Sequence, residues 1–256
     1  MVMLRVMDRR TGRPSDLPAR GRRGTLTLRI HPTCAQDPAD ATDLRLLLVG
    51  DVLLRTVERW GVQVLHALAG PPPDRAASLR QAMADLGIHP PLDEGTGPGA
   101  GADAHVCAEP PDAATAGVWL RVGRVRRDIP APRDTEAGAA GGTDPLAVRL
   151  ALLAVPYGDP VGLTTDVLAD AARTLAVWRA RVAHWADSPS KPVPADLARR
   201  ADAALADDLG TPGVLRLLSE VEAADGLPDG AKFETFALLD RVLGLELTRE
   251  VGRRSP

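Results

Sequence analysis

The hydrophobic pattern near the start of the chain predicts a strand, a helix and a second strand. Polar and apolar residues alternate strictly at 25–30, which is the period-two pattern of a strand. From 43 to 60 the apolar residues recur at helical spacing, and Gly61 supplies a stop signal. A short apolar run follows at 62–68. This order is that of a right-handed βαβ unit, so we expect a doubly wound parallel sheet.

The pattern then predicts one more helix and one more strand before a break. The helix covers 75–86 and ends at Gly87, and the proline- and glycine-rich residues 90–101 predict a loop. The apolar run at 118–125 predicts a further strand. At 130–143 prolines and a glycine–alanine run interrupt all periodicity, so we expect a linker there.

The residues after this break have the spacing of packed helices. In 166–186 six apolar residues are three or four positions apart, which places them on one stripe of a helix that Thr164 or Thr165 could cap. Thr211 precedes a proline and predicts the N-cap of another helix. A last helix is predicted to end at Gly244. The pattern therefore predicts an antiparallel helical bundle in the second half.

Composition supports a globular protein and excludes several classes. The chain has 256 residues, 45% hydrophobic, with a formal net charge of −3. A disordered chain would contain fewer aliphatic residues and more charge of one sign. The longest apolar runs fall far short of the roughly 20 residues that cross a bilayer, and no signal-peptide pattern is present, so we expect a cytoplasmic protein without a membrane partner. Two cysteines, Cys34 and Cys107, do not make a disulfide framework.

Several blocks of the sequence resemble cysteinyl-tRNA synthetases, which are class I synthetases. Residues 31–61 align without a gap with the family's Cys-Gly-Pro-Thr-x-Tyr-Asp-x-x-His-Ile-Gly-His-x-Arg stretch and the helix behind it. Residues 144–160 resemble the family's "ALRYALLSAHYRSPL" segment, residues 206–212 its "DDDxNTPEAL" and residues 119–125 its "WxHxGxV". The resemblance implies a Rossmann-like catalytic domain, here reduced and placed at 1–129 with an arginine-rich N-terminal arm against it. A helical bundle at 144–256 would follow the linker.

The positions at which the family binds ATP differ in this chain. The two histidines of His-Ile-Gly-His stabilise charge on the phosphates, but these four positions are Asp40, Ala41, Thr42 and Asp43 here. Two carboxylates at this place would repel a triphosphate by of order several kcal/mol for each phosphate charge. Asp43 could alternatively be an ordinary helix N-cap. The family's Lys-Met-Ser-Lys-Ser motif is also missing, because the first lysine of the chain is Lys191.

These departures leave two functions open. We favour a catalytically degenerate paralogue, shortened relative to the family, that acts as a binding or regulatory module. The alternative is an ATP-dependent ligase that activates cysteine, either for tRNA charging or for joining cysteine to an amine, as in the related mycothiol-pathway ligase. The resemblance implies ATP as a substrate, although the changed residues argue against it.

The family also implies a zinc ion, which binds the thiolate of the cysteine substrate. The family's first cysteine ligand corresponds to His31, and the chain contains the short pairs His31-x-x-Cys34 and His105-x-Cys107. Two histidines and two cysteines form an acceptable tetrahedral zinc site. Short pairs also arise by chance, and buried free cysteines need no metal. The other three histidines show no ligand pattern.

The distribution of charge and the resemblance to synthetases suggest which partners the protein could bind. The first 30 residues contain eight arginines against Asp8 and Asp16, and a second arginine cluster lies at 121–127. A tRNA or other RNA partner is consistent with these arginines, and so are solvated surface side chains. The resemblance ends before the family's anticodon-reading domain, so we do not expect that domain to contribute to tRNA binding here. An unknown protein partner, or a homodimer formed through the helices, also stays open.

Overall fold

The computed structural model describes residues 3–17, 24–33, 41–70, 73–92, 101–109, 116–128 and 144–253. The strands in these ranges are β1 (Leu4–Asp8), β2 (Arg13–Leu17), β3 (Leu26–His31), β4 (Val64–Leu68), β5 (Ala104–Cys107), β6 (Val118–Arg121), β7 (Val125–Asp128) and β8 (Val161–Thr164). The helices are α1 (Thr42–Arg59), α2 (Pro73–Asp85), α3 (Pro145–Leu153), α4 (Thr165–Trp185), α5 (Ala195–Ala206), α6 (Thr211–Ala223) and α7 (Asp229–Leu243). The protein is therefore a mixed α/β structure. The expected linker at 130–143 lies outside the described residues.

A four-stranded parallel sheet forms the centre of the first half. Its strand order is β4-β3-β5-β6, and β3 pairs in parallel with both β4 and β5. The predicted βαβ unit is confirmed by β3, α1 and β4. One face of β3 is apolar and packs against α1, where Gly50 lies so close that a Cβ there would be 2.5 Å from Ile30 Cδ1. The predicted helix stop is confirmed as well, because Gly61 has a left-handed φ of +80° just after α1.

The prediction of a single strand at 118–125 is wrong. The chain forms two strands there, β6 and β7, that belong to different sheets. The chain breaks at Gly123, whose N–H donates to the Tyr157 carbonyl at 2.8 Å. A Cβ at Gly123 would be only 2.1 Å from the Asp159 carbonyl oxygen, so the loop before β8 can approach only a glycine here. After the break, β7 pairs in parallel with β8, a strand that the hydrophobic pattern did not predict.

The N-terminal arm is a β-hairpin, which the sequence pattern also did not predict. Strands β1 and β2 pair antiparallel, with Leu4 opposite Leu17. The hairpin lies against β6: Asp8 Oδ1 accepts a hydrogen bond from the Trp119 N–H at 3.2 Å, and the Arg9 N–H donates to the Trp119 carbonyl at 2.9 Å. On its other side β1 bridges to Asp207, which follows α5.

The helical predictions for the second half are largely confirmed. The six stripe residues of α4 are buried: Leu168, Ala171, Leu175, Trp178, Val182 and Trp185. Thr164 caps α4 by accepting the Val167 N–H at 3.2 Å. Gly244 ends α7 with a φ of +61°. The predicted cap at Thr211 is wrong, because α6 begins at Thr211 itself and its hydroxyl donates to the Leu153 carbonyl at 2.8 Å.

One hydrophobic core runs through both halves of the described chain. It contains residues from the sheet, from α1 and from the helices α3 to α7. Helix α1 contacts α7, and β1 contacts α5, so packing crosses the region predicted as a domain boundary. None of the helices in the described ranges is long and apolar enough to span a membrane.

Candidate functional site

An open cleft lies where the parallel strands end and α1 begins. His31 is the last residue of β3, Cys107 is the last residue of β5, and Thr42 is the first residue of α1. Open parallel sheets usually bind ligands at this edge, beyond the carboxyl ends of their strands. The cleft has a volume of about 340 Å³, and the described residues that line it are His31, Pro32, Thr33, Thr42, Ala108, Glu109 and Arg124.

Two of the predicted site residues, His31 and His105, lie side by side at this edge. His31 Nε2 is 3.0 Å from His105 Nδ1, and His105 Nε2 is 3.2 Å from the Ala116 carbonyl oxygen. Because a carbonyl can only accept, His105 carries its proton on Nε2, and its Nδ1 accepts the N–H of His31 Nε2. Both rings stack on Trp119, with centroid distances of 4.1 Å for His105 and 5.2 Å for His31. Hydrogen bonding and stacking thus hold both rings in fixed orientations.

Both imidazoles are neutral at physiological pH. Burial, His105 and Arg29 together lower the pKa of His31 to about 4. Burial also lowers the pKa of His105, against the Ala116 carbonyl, whose hydrogen bond raises it. A neutral imidazole keeps one nitrogen as an acceptor. For His31 that nitrogen is Nδ1, because Nε2 donates to His105.

Of the four predicted zinc ligands, the structure shows a direct contact only between His31 and His105. Cys34 lies outside the described residues. Cys107 is buried, with its Sγ 3.7 Å from the Leu120 carbonyl oxygen, and burial raises the pKa of its thiol to about 12. A cysteine binds zinc as a thiolate, and the raised pKa of Cys107 disfavours that form. The hydrogen bond between His31 Nε2 and His105 Nδ1 also occupies one ring nitrogen of each histidine. Within the described ranges no three histidine, cysteine or acidic side chains are arranged to hold a metal ion. The described residues therefore do not fit zinc, and a site that includes Cys34 stays a prediction.

The positions that correspond to His-Ile-Gly-His have structural roles where they are described. Asp40 lies outside the described residues. The Thr42 hydroxyl accepts the Val125 N–H at 3.0 Å. Asp43 Oδ1 accepts both the N–H and the hydroxyl of Thr33, at 2.6 and 2.8 Å, and Asp43 is buried. The alternative that Asp43 is the helix N-cap is wrong, because the N-cap of α1 is Ala41.

The charged side chains that line the described cleft form an ion pair at its rim. Arg124 Nη2 donates to Glu109 Oε1 at 2.8 Å, and both side chains are largely exposed. Arg124 is the one cationic side chain among the described lining residues. Phosphate sites usually combine several cations with helix N-terminal N–H groups. The described part of this cleft offers far less positive charge than such a site.

Sequence reasoning missed a buried arginine that braces the start of α1. Arg45 Nη2 donates to the carbonyls of Val155 and Pro156, at 3.1 and 2.8 Å, and Nη1 donates to those of Gly123 and Asp159. Burial lowers its pKa to about 10, so it remains charged. Arg45 is the arginine of the family stretch at 31–61, which was the available signal.

A second missed feature is a buried carboxylate that joins four helices. Asp51 Oδ2 accepts from Arg149 at 2.6 Å and from Arg55 at 2.8 Å, and Oδ1 accepts from the ring of His89 at 2.7 Å. Burial raises the pKa of Asp51, but the two guanidinium groups and the His89 N–H lower it by more, so the net shift is downward. Arg149 also donates to the carbonyls of Leu243 and Leu86. The network links α1, α3 and the ends of α2 and α7.

The sequence was compared with known proteins. No family model matches the chain. It is 41% identical over 104 residues to an L-cysteine:1D-myo-inositol 2-amino-2-deoxy-alpha-D-glucopyranoside ligase from Thermobispora bispora, a match that covers 41% of this chain and 25% of that enzyme. Enzymes of the same name from Geodermatophilus obscurus and Acidothermus cellulolyticus are each 38% identical, over 112 and 108 residues, covering 41% and 42% of this chain and 26% of each relative. The chain thus spans about a quarter of the length of the curated relatives it matches, and its similarity is to ligases that join cysteine to an amino-sugar.

Proposed function

We propose that this protein belongs to the cysteine-activating ligases and takes part in joining cysteine to an amine. The observation that carries the proposal is the similarity, at 38–41% identity, to ligases of this name. This similarity favours an ATP-dependent, cysteine-activating ligase over a purely degenerate paralogue. We also propose that its fold is a reduced Rossmann-like domain followed by an antiparallel helical bundle.

The cleft supplies a place for this chemistry. In the reaction of such ligases, the cysteine carboxylate attacks the α-phosphate of ATP, pyrophosphate leaves, and the amine then displaces AMP from the adenylate. His31, Thr33 and Thr42 line the described cleft, whereas Asp43 does not. Two hydrogen bonds that Asp43 Oδ1 accepts from Thr33 offset part of the negative charge of this carboxylate. ATP remains a proposed substrate.

A second candidate is a module that binds a small molecule without activating it. The observation in its favour is the low positive charge of the cleft, whose Arg124 is paired with Glu109 at 2.8 Å. An adenylation site has to stabilise the charge that develops on the phosphates. RNA, a protein or a second copy of the chain are further partners that the proposal leaves open.

Pyrophosphate exchange separates the two candidates. The purified protein would be incubated with ATP, labelled pyrophosphate and each of the twenty amino acids in turn. The ligase proposal expects exchange that depends on L-cysteine and is lost in His31→Phe but kept in His184→Phe, a change of an exposed histidine in the last turn of α4. Binding of cysteine by calorimetry without any exchange would support the binding module and reject the ligase.

A further inference from the structure

Strand β8 has one open edge in the part of the chain that the structure describes. Within these ranges it pairs with β7 alone, in a two-stranded sheet. The Val161 N–H donates to the Arg124 carbonyl at 2.9 Å, and successive residues of a strand direct their hydrogen-bonding groups to opposite edges. The N–H and C=O of Gly162 therefore point away from β7. Gly162 is exposed, and a Cβ built on it would meet no atom within 4 Å beyond its chain neighbours.

The donors and acceptors along this edge are complementary to a second copy of the same edge. The alternation places the backbone groups of Pro160 and Thr164 on the open edge, together with those of Gly162. Pro160 has no N–H. Thr164 is the N-cap of α4, so its C=O accepts the first hydrogen bond of that helix. In an antiparallel pair centred on Gly162, Pro160 of one copy lies opposite Thr164 of the other, so the missing donor faces the acceptor that is already used.

We propose that two copies of this protein associate through β8, with Gly162 at the twofold axis. Each Gly162 N–H donates to the carbonyl of the partner's Gly162, and each Thr164 N–H donates to the carbonyl of the partner's Pro160. Most homo-oligomers are twofold dimers, and their interface has to be complementary to itself. Glycine within a strand often marks a place where another backbone approaches closely. The two small sheets join into one of four strands, in the order β7-β8-β8-β7.

An apolar groove beside this edge supplies further contact area. It has a volume of about 690 Å³ and is lined by residues of α3, α4 and α6 and by the start of β8. Val161 and Gly162 line it together with Val167, which is 38% exposed. A specific interface needs more than about 1,000 Å² of buried surface, which a single strand edge does not provide. The apolar side chains of the groove therefore belong to the same interface as the edge of β8.

The charges at the groove are compatible with a second copy. Asp170, which pairs with Arg173, and Arg216 both line the groove and are exposed. A surface with charges of one sign would repel its own copy, whereas this one carries both signs. The described residues that line the groove and those that line the cleft are different. The inference therefore does not rest on the proposed function.

The first measurements use the unmodified protein, so they do not depend on any variant. Sedimentation velocity at increasing protein concentration reports whether the particle has the mass of one chain or of two. Amide hydrogen exchange, followed by NMR, reports the protection of the Gly162 and Thr164 N–H groups. We expect a dimer, and protection of both amides that increases with protein concentration. A monomer at all concentrations would overturn the inference, and so would a dimer in which the protection of these amides does not depend on concentration.

Two substitutions of Gly162 test the hydrogen bonds at the axis. Gly162→Pro removes the N–H, and an edge strand tolerates proline where the N–H points away from the sheet. The dimer loses two hydrogen bonds, so its dissociation constant should rise about tenfold or more. Gly162→Ala keeps the N–H and is the matched control, with an expected change of less than about twofold. Far-UV circular dichroism and thermal melts establish that each variant is folded.

A second matched pair tests the groove. Val167→Asp places a carboxylate at the groove, where the dimer would remove it from water, so the dissociation constant should rise about tenfold or more. Val177 is 48% exposed on the same helix and does not line the groove, so Val177→Asp adds the same charge with an expected change of less than about twofold. Equal effects within either matched pair, including no effect, would reject the inference, because the dimer would then use another surface.

Discussion

Replacing Asp51 by asparagine should destabilise the protein more than any single surface substitution. The side chains of Asp51 and Arg149 are both 0% exposed, and their atoms Oδ2 and Nη2 are 2.6 Å apart. Asp51→Asn removes the charge but keeps the volume, which leaves a fully buried guanidinium without its counterion. Breaking a buried pair from one side costs about 3–5 kcal/mol, a large part of the roughly 5–15 kcal/mol that stabilises a typical protein. In a chain of this size the melting temperature should fall by on the order of 10 °C.

The matched control is an ion pair with a similar N···O distance at the surface. Glu109 and Arg124 are 2.8 Å apart but 73% and 67% exposed, so Glu109→Gln should cost less than about 1 kcal/mol. Both variants would be unfolded in urea and compared by their free energies of unfolding. Repeating Asp51→Asn in an Arg149→Met background tests the cause, because the cost should shrink once the buried cation is gone. A loss below about 1 kcal/mol for Asp51→Asn, or an equal loss in both backgrounds, would refute the reasoning.

Three further predictions concern stability. Burial lowers the pKa of His66, so as the pH falls below about 6.5 the unfolded chain takes up a proton there before the folded protein does. The free energy of unfolding should therefore decrease as the pH is lowered through this range, and it should decrease less steeply in His66→Gln. Gly244→Ala places a side chain at a φ of +61° and a Cβ 2.7 Å from a buried guanidinium, and should cost more than about 1 kcal/mol in urea unfolding, whereas Gly226→Ala meets open space and should be close to neutral. Thr164→Ala should cost about 1 kcal/mol by removing the cap of α4, and an equal effect of Thr165→Ala would contradict that assignment.

The elements that the sequence predicted well are those whose signal is local. The alternation at 25–30, the helical spacing of α1 and the stripe of α4 each lie within one element, and the structure confirms all three. The hairpin was missed because β2 contains Pro14 and several polar residues, and it becomes a strand by pairing with β1. The break at Gly123 was missed for a similar reason, since it depends on a loop more than thirty residues further along the chain.

In the candidate site, too, the features that depend on a local sequence pattern could be predicted, and those that depend on distant contacts could not. His31 could be placed at the end of a strand because the pattern defines where β3 stops, and its link to His105 follows from the pairing of β3 with β5. The role of Asp43 could not be predicted, because it depends on how the loop carrying Thr33 folds back on α1. The partners of Asp51 come from the far ends of other helices. No spacing within one element contains that information.

The helical half of the protein also shapes the cleft, although the described residues that line the cleft lie in the first half. The Thr42 hydroxyl binds the Val125 N–H, and Val125 opens the strand that pairs with β8. Three residues further along α1, Arg45 donates to the carbonyls of Val155 and Pro156 in the loop between α3 and β8. A buried guanidinium that is separated from its acceptors destabilises the protein strongly. This loop and the start of α1 therefore have to move together. The edge of the sheet where a ligand would bind is therefore positioned from both halves, and a substitution between α3 and β8 can alter binding without touching the ligand.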